Sequence, residues 1–509
     1  MATDFPSDET RPPRGDGPEA VKFWRTQLGQ YHAEFKPWTN RCTKIIRRYR
    51  DERPEATENL VKFNVLWSNV ETLGPAIYSR PPQPIVERRY LDQDLLANVA
   101  SMTLERGIET QLDLGKFNER MKGARLDYLL CGRAQLWVRY EPEYAYSDPP
   151  VTDTGTEEEE ASEEQAQEVG WEKVCVDYVH WSDFAHSTAR VWEEVWWVAR
   201  RCWVSRQEGI KRWGSFFGTI GLQKPGDADA DVTNGRKDRS PKAEVWEIWD
   251  KNARQVIFMA ADYPDKLLEV ADDPLHLTGF WPCPEPLYAT TTNDTLVPVP
   301  DYAEYQDQAE EIDRLTARIA KITAAIKAVG LYDAAADGSN QLSRLLQEGT
   351  DNMMLPVTGW AAFAEKGGLQ GTVDFLPIKD LVAALMSLYE ARAAAKADLF
   401  EITGMSDIIR GQSTGAAKTA TEQRIKGQFA SMRLEDRRKS VARFVRDAIA
   451  IVGEIIAEQF SPEILVEMTG MLPVVKKMLP TPQEQPPAPQ KRSNNRGFCS
   501  SLTPWPPNR

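Results

Sequence analysis

The sequence is poor in the residues that most often build metal and redox sites. Its 509 residues include six cysteines and four histidines. The cysteines (Cys42, Cys131, Cys175, Cys202, Cys283 and Cys499) are scattered with no C-x-x-C pair, which argues against a metal or redox motif and predicts free, mostly buried thiols. Of His32, His180, His186 and His276, only His180 and His186 are close, and their spacing fits no common zinc signature. No metal and no cofactor is expected. The chain lacks a run of about 18 apolar residues, so no transmembrane helix is expected, and residues 1–17 lack the apolar stretch of a signal peptide. A soluble intracellular protein is the resulting expectation.

What is present is enough for substantial cores. Hydrophobic residues make up 41% and charged residues 27%, which rules out wholesale disorder. With 62 Lys+Arg against 76 Asp+Glu, the formal net charge is -14, an acidic balance. At roughly 100–200 residues per domain the length suggests about three units.

After a Pro/Gly-rich leader (residues 1–20), Phe23, Trp24, Leu28, Tyr31 and Phe35 recur at helical spacing over residues 21–49. A second helix is read from about Thr57 until Arg80-Pro81-Pro82-Gln83-Pro84 forbids continuation. Residues 85–90 read as a strand, 92–130 as one or two helices, and 134–140 as a strand. Residues 147–170 carry Asp148, Asp153, Glu157, Glu158, Glu159, Glu160, Glu163, Glu164 and Glu168 with almost nothing apolar, which reads as a disordered, solvated insertion between two strands, with a mimic of nucleic-acid charge as the alternative. From 171 to 261 the pattern is β, with Val174-Cys175-Val176, Val195-Trp196-Trp197-Val198, and a hairpin from Trp246-Glu247-Ile248-Trp249 into 255–259. The tryptophans read as packed sheet faces rather than base-stacking platforms. Asp227, Asp229 and Asp231 resemble the start of a calcium loop, but Val232 stands where its glycine is required.

A long helix is expected from Asp301. Ile312, Leu315, Ile319, Ile322, Ile326 and Val329 alternate in steps of three and four, a heptad seam suited to a helix partner at a small crossing angle. A Gly-rich stretch (331–377) intervenes before a second helix (378–400) with Leu381, Leu385, Leu388 and Tyr389 on one side. Residues 401–418 are polar and loop-like. The longest helix is read over 419–460, with Ile425, Phe429, Met432, Val441, Phe444, Ala448, Val452 and Ile455 inward. Residues 461–509 turn Pro/Gln/Asn-rich.

Two motifs tempt and fail. Gly411-Gln412-Ser413-Thr414-Gly415 matches the nucleophile elbow of α/β-hydrolases, whose histidine follows the serine; here every histidine precedes Ser413. Lys418-Thr419 suggests a P-loop, but Ala416 and Ala417 separate the lysine from Gly415. No dinucleotide glycine fingerprint is present. No catalytic constellation emerges, and the chain is not expected to be an enzyme. A serine hydrolase using Ser413 and a monomeric helical scaffold or adaptor remain as alternatives.

An ordered set of stretches resembles the portal (head-to-tail connector) proteins of tailed bacteriophages. It comprises Asn64-Val65-Leu66-Trp67-Ser68-Asn69-Val70-Glu71-Thr72-Leu73 with Tyr78-Ser79-Arg80-Pro81-Pro82; Trp181-Ser182-Asp183-Phe184; Gly279-Phe280-Trp281-Pro282-Cys283-Pro284-Glu285-Pro286-Leu287; and Glu401-Ile402-Thr403-Gly404-Met405-Ser406-Asp407-Ile408-Ile409-Arg410-Gly411. The likeness spans roughly residues 20–470. It implies an α+β subunit of a ring, usually of twelve copies, at one capsid vertex of a virion assembled in the bacterial cytoplasm. The ring would package, retain and eject DNA and join head to tail.

By order, the resemblance makes residues 21–300 the wing, 301–330 the first stem helix, 331–377 the clip and 378–400 the second stem helix. Residues 401–418 become the tunnel loop and 419–460 the long wing helix. The stem seam is then Ile312, Leu315, Ile319, Ile322, Ile326, Leu381, Leu385 and Leu388. The DNA-facing loop holds Asp407, Arg410, Gln412, Ser413, Thr414 and Lys418, and clip positions Arg344, Glu348 and Asp351 are candidates for docking the motor. Implied partners are further copies of the chain, the terminase packaging motor, which would hydrolyse the ATP, the major capsid and scaffolding proteins, a tail adaptor, and double-stranded DNA read without regard to sequence. An acidic ring with few cations at its narrowing, such as Arg410 and Lys418, suits a duplex that must slide, because each phosphate contact adds salt-dependent affinity. The family's crown should follow the long helix; Pro480, Pro482, Pro486, Pro487 and Pro489 break any helical period, so a partial or missing crown is expected.

Overall fold

The structure is a computed structural model that describes residues 13, 15–52, 61–88, 94–146, 167–223, 240–326, 330–332, 373–375, 378–404 and 420–471. It is mixed helix and strand, in line with the α+β expectation. The chain divides into two units. One is drawn from Met1–Arg50, Trp67–Ala303 and Thr414–Arg509, the other from Asp51–Leu66 and Glu304–Ser413.

In the first unit, α1 (Pro18–Tyr49) begins with proline at its first position, where a missing N–H costs nothing. Val21, Trp24, Leu28, Tyr31, Phe35, Trp38, Cys42 and Ile45 alternate in steps of three and four and are all buried, so one apolar stripe runs its whole length. Pro37 sits on the exposed side and does not end the helix. Helix α2 (Val65–Ile77) starts later than the sequence suggests, and residues 61–64 are not helical.

Two guanidinium groups close the C-terminal end of α2. Arg125 Nη1 donates to the Tyr78 carbonyl at 2.9 Å and Arg438 Nε to that of Ala76 at 2.6 Å, placing cations at the negative end of the helix dipole. Gly74 permits this approach, since a Cβ there would lie 3.2 Å from Arg125 Cζ. The strand expected over residues 85–90 is not formed: 85–88 pair with no strand, and 89–90 lie outside the described residues. Pro82 and Pro84 offer no ladder donors, and the Val86 N–H is taken by Glu105 Oε2 on α3 (Leu95–Leu114) at 2.9 Å. The expected helical stretch over 92–130 divides at Gly115 and left-handed Lys116 into α3 and α4 (Phe117–Cys131).

Strands β1 (Arg133–Tyr146) and β2 (Gln167–Val179) pair antiparallel with β8 (Leu287–Tyr288) on the other edge of β1. The acidic insertion lies where β1 turns back into β2, mostly outside the described residues. A five-stranded antiparallel sheet follows the order β3 (Phe184–His186), β4 (Trp197–Val204), β5 (Ala243–Asp250), β6 (Gln255–Ala260), β7 (Glu269–Asp272). Helix α5 (Arg206–Trp213) follows β4, capped by the Ser205/Glu208 box. A small ribbon joins β9 (Thr290–Thr292) to β10 (Thr295–Val299). Trp137, Trp181, Trp197, Trp246 and Trp249 are all buried, so these tryptophans are core. Cys42, Cys131, Cys175, Cys202 and Cys283 are buried free thiols, and Cys499 lies outside the described residues.

The two sheets are tied by buried charge. Asp177 on β2 accepts from Arg139 Nε on β1 at 2.5 Å and Arg200 Nη1 on β4 at 3.3 Å, while Arg200 Nε reaches Glu247 on β5 at 2.6 Å. Desolvation would raise the Asp177 carboxyl, but Arg139 and Arg200 hold it below its ordinary value.

The long helix α8 (Ala420–Gln459) buries Val441, Phe444, Ala448, Val452 and Ile455 against α3 and the first sheet. Met432, expected inward, is 60% exposed, while the side chains of Ile425 and Phe429 lie outside the described residues. Helix α9 (Pro462–Thr469) docks on α3, with Glu172 accepting from the Ser461 N–H at 2.7 Å. The proline-rich segment beyond 471 is outside the described residues.

Asp127, buried near the end of α4, accepts the Tyr178 hydroxyl at 2.5 Å and the Trp181 N–H at 2.9 Å. Burial pushes its carboxyl up to about 6 from 3.8. Below about pH 4 the group is neutral both folded and unfolded. As pH rises from there to about 6 the unfolded state releases its proton first, and above about 6 folding carries a penalty on the order of 3 kcal/mol. Asp127→Asn, whose amide oxygen accepts the same two bonds, should therefore gain on the wild type by about 2 kcal/mol between pH 4.5 and pH 7.5 in urea unfolding. Parallel pH profiles for the two proteins would refute this.

Candidate assembly helices

The second unit is built on α6 (Tyr302–Ala325) and α7 (Ile378–Thr403). Strands β11 (Gly330–Tyr332) and β12 (Val373–Phe375) pair antiparallel between them, so the intervening insertion leaves and returns at one place.

On α6, Tyr305, Ala309, Ile312, Thr316 and Ile319 are buried in steps of four and three, with Leu315 beside them. Thr316 is accommodated because its hydroxyl donates to the Ile312 carbonyl at 2.7 Å. Of the seam read from sequence, Ile312, Leu315 and Ile319 are thus buried, while Ile322 and Ile326 are only half-buried. Ile326 lies just past the last helical residue, where its N–H still reaches the Ile322 carbonyl at 2.9 Å.

Helix α7 is different. Leu381, Leu385 and Leu388 are half-buried, and from residue 379 to its end Leu399 alone is fully buried. Val382 is 42%, Tyr389 43% and Met386 62% exposed, among exposed Ala383, Ala384, Ala391, Ala393 and Ala394. Between Leu381 and Ala395 the charged residues are Glu390 and Arg392. Apolar character continues round the helix, as in a buried helix, yet most of its surface is open in the single chain.

The sequence gives no hint of the residue that joins the two helices. Phe63 donates its N–H to Asp313 Oδ1 on α6 at 2.8 Å, and its ring lies 4.0 Å from the Lys396 ammonium of α7. Residues 51–66, preceding the rest of this unit by more than two hundred positions, thereby group with these helices.

Asp407, Arg410, Gln412, Ser413, Thr414 and Lys418 of the loop lie outside the described residues, as do Arg344, Glu348 and Asp351. Among the described residues no three His, Cys, Asp or Glu side chains are grouped so that they could hold a metal ion. His180 Nδ1 lies 2.7 Å from Ser182 Oγ, but both belong to one turn, whose Asp183 pairs with Arg201 at 2.8 Å. His186 is enclosed in aromatic rings and burial lowers it to about 3, so it is a neutral core histidine.

No protein-family model matches the sequence, and no curated protein matches it.

The unequal burial along α6 gives a graded expectation. Ile312→Ala should cost about 3 kcal/mol in the dissociated chain and Ile322→Ala about 1 kcal/mol. Equal losses in chemical unfolding would contradict the burial gradient.

Proposed function

We propose that the chain is the subunit of a portal-type ring: a non-enzymatic DNA conduit at a capsid vertex, through which a separate ATP-hydrolysing motor packages the genome and to which the tail attaches. One observation carries this reading. Between Leu381 and Ala395 helix α7 carries apolar residues round most of its circumference, and beyond residue 378 it has one fully buried side chain, which suits a helix completed by neighbouring copies.

On this reading the first unit corresponds to the wing, α6 and α7 to the stem, the insertion between β11 and β12 to the clip, and residues 401–418 to the tunnel loop before α8, although 401–403, expected in the loop, continue α7. The order of elements supports it: a mixed α+β body, a helix, an insertion pinched at its base, a second helix and then a longer one. Partners then follow as the terminase motor, capsid and scaffolding proteins, a tail adaptor and sequence-independent duplex DNA.

Negative-stain electron microscopy and sedimentation of the purified chain test this together. Rings with a central hole wide enough for B-form DNA are expected, and Met386→Glu should leave the melting temperature within about 3 °C while dissolving them, because the side chain is exposed before assembly. A wild-type chain that stays monomeric at every concentration would overturn the proposal.

A further inference from the structure

The apolar stripe of α1 is matched on the opposite side by charge of a single sign. From Phe35 to Arg50 the helix and its cap hold Lys36, Arg41, Lys44, Arg47, Arg48 and Arg50 and no acid, in a chain whose net charge is -14. At 100° per residue these cations fall within about half the circumference, opposite the buried Phe35, Trp38, Cys42, Ile45 and Ile46, over about 21 Å of helix. Lys36, Asn40, Arg41, Lys44 and Arg50 are exposed, and Arg47 and Arg48 are half-buried. Glu34 and Glu71 border the two ends and are engaged elsewhere. Glu34 accepts from the Thr188 and Thr295 hydroxyls at 2.8 and 3.0 Å, and Glu71 from the Tyr49 hydroxyl at 2.8 Å.

Stabilisation of the helix itself does not account for this face. The helix dipole favours cations in the last turn, which explains Arg47 and Arg48 but not Lys36, Arg41 and Lys44, about one to four turns before the end. No acid stands three or four positions from any of these three. Lys44 instead has Arg41, Arg47 and Arg48 at those spacings, a like-charge arrangement that costs an isolated helix. Lys36, Arg41 and Lys44 have no ion-pair partner among the described residues.

We propose that this face of α1 binds the sugar–phosphate backbone of a nucleic-acid duplex, with Lys36, Arg41 and Lys44 contacting phosphates and the Asn40 amide donating between them. The occupant follows from what the face lacks. Between Lys36 and Arg50 no large apolar side chain is exposed, so the aromatic and aliphatic anchors on which a protein interface depends are missing. No exposed ring offers a platform for the bases of a single strand either, since Tyr49 is half-buried and held by Glu71. Cations and an amide without anchors suit phosphate contacts, which carry affinity but no sequence information. The surface is separate from Arg410 and Lys418 of the loop, and it does not depend on the ring reading, because α1 is packed within the first unit of a single chain. In a ring it would recur once per subunit and give the duplex a second hold.

The test measures binding of the full chain to fluorescein-labelled DNA duplexes of two unrelated sequences by anisotropy across salt, with sedimentation and circular-dichroism melts of each variant. Lys36→Gln with Arg41→Gln and Lys44→Gln should weaken binding of both duplexes alike, roughly tenfold or more at about 0.1 M salt. It should also flatten the slope of log K against log salt by about 2 to 3, close to one for each contact removed. The melting temperature should not fall, since like charges are removed. Lys36→Gln alone should flatten the slope by about 1. The exchange Lys36→Arg, Arg41→Lys and Lys44→Arg keeps every charge and should bind within about threefold of wild type. A triple variant with wild-type affinity and slope, or duplex binding lost only on Arg410→Gln with Lys418→Gln, would overturn the surface and leave the ring reading standing. A wild-type chain that stays monomeric, yet loses duplex binding in the triple variant, would overturn the ring and support the surface. Tighter binding of a single strand than of a duplex, or loss of poly-glutamate binding with duplex binding unchanged, would overturn the duplex as occupant.

Discussion

An arginine cannot shed its proton on burial, so each guanidinium enclosed in the first unit must be met by fixed charge, lone pairs or aromatic faces. Arg200 is met by Asp177 and Glu247 and by the Trp137 ring at 5.0 Å; Arg139 is met by Asp177. Because these partners belong to β1, β2, β4 and β5, satisfying the two cations fixes how the two sheets face one another. Removing Asp177 would leave two buried cations facing each other, which is why a buried pair broken on one side is far costlier than one absent altogether.

Arg133 solves the same problem without a carboxylate. Its Nη2 donates to the Tyr31 hydroxyl and to the Trp181 and Phe184 carbonyls at 2.9–3.0 Å, and its guanidinium carbon lies 4.6 Å from the Trp38 ring centre and 5.2 Å from that of Phe35. Tyr31, Phe35 and Trp38 come from the α1 stripe, and Trp181 and Phe184 from the Trp181-Ser182-Asp183-Phe184 stretch. That stretch is thereby a structural hub: its backbone receives Arg133, while the Trp181 N–H is anchored by Asp127.

Much of this architecture was legible because it follows from periodicity. The steps of three and four in α1 and α6, the β pattern over 171–261 and the hairpin from β5 to β6 all leave period-specific traces. The misread places are those where tertiary partners outvote local pattern. Residues 85–88 have strand composition, but prolines and Glu105 take away the ladder. Met432 keeps the helical period of α8 yet is 60% exposed, so the period there does not mark a covered face. Phe63 joins α6 to α7 from a distant part of the chain, a contact that spacing cannot encode. The loop and clip residues chosen from the resemblance lie outside the described residues, so the candidate site rests on the helices alone.

Among the described residues, unusual titration and open surface fall in different units. In the first unit the groups with unusual titration have structural duties: Asp127 holds a turn, Asp177 bridges two cations, and His186 is packed among rings. In the second unit the uncommitted capacity is apolar on α7 and ionic on α6. These two kinds act differently. Apolar area supplies affinity without direction, whereas opposed charges add little net affinity but penalise wrong registers. In any closed assembly of identical subunits each copy meets its two neighbours on different flanks, so a charged face sets register only where it reaches the flank that a neighbour covers.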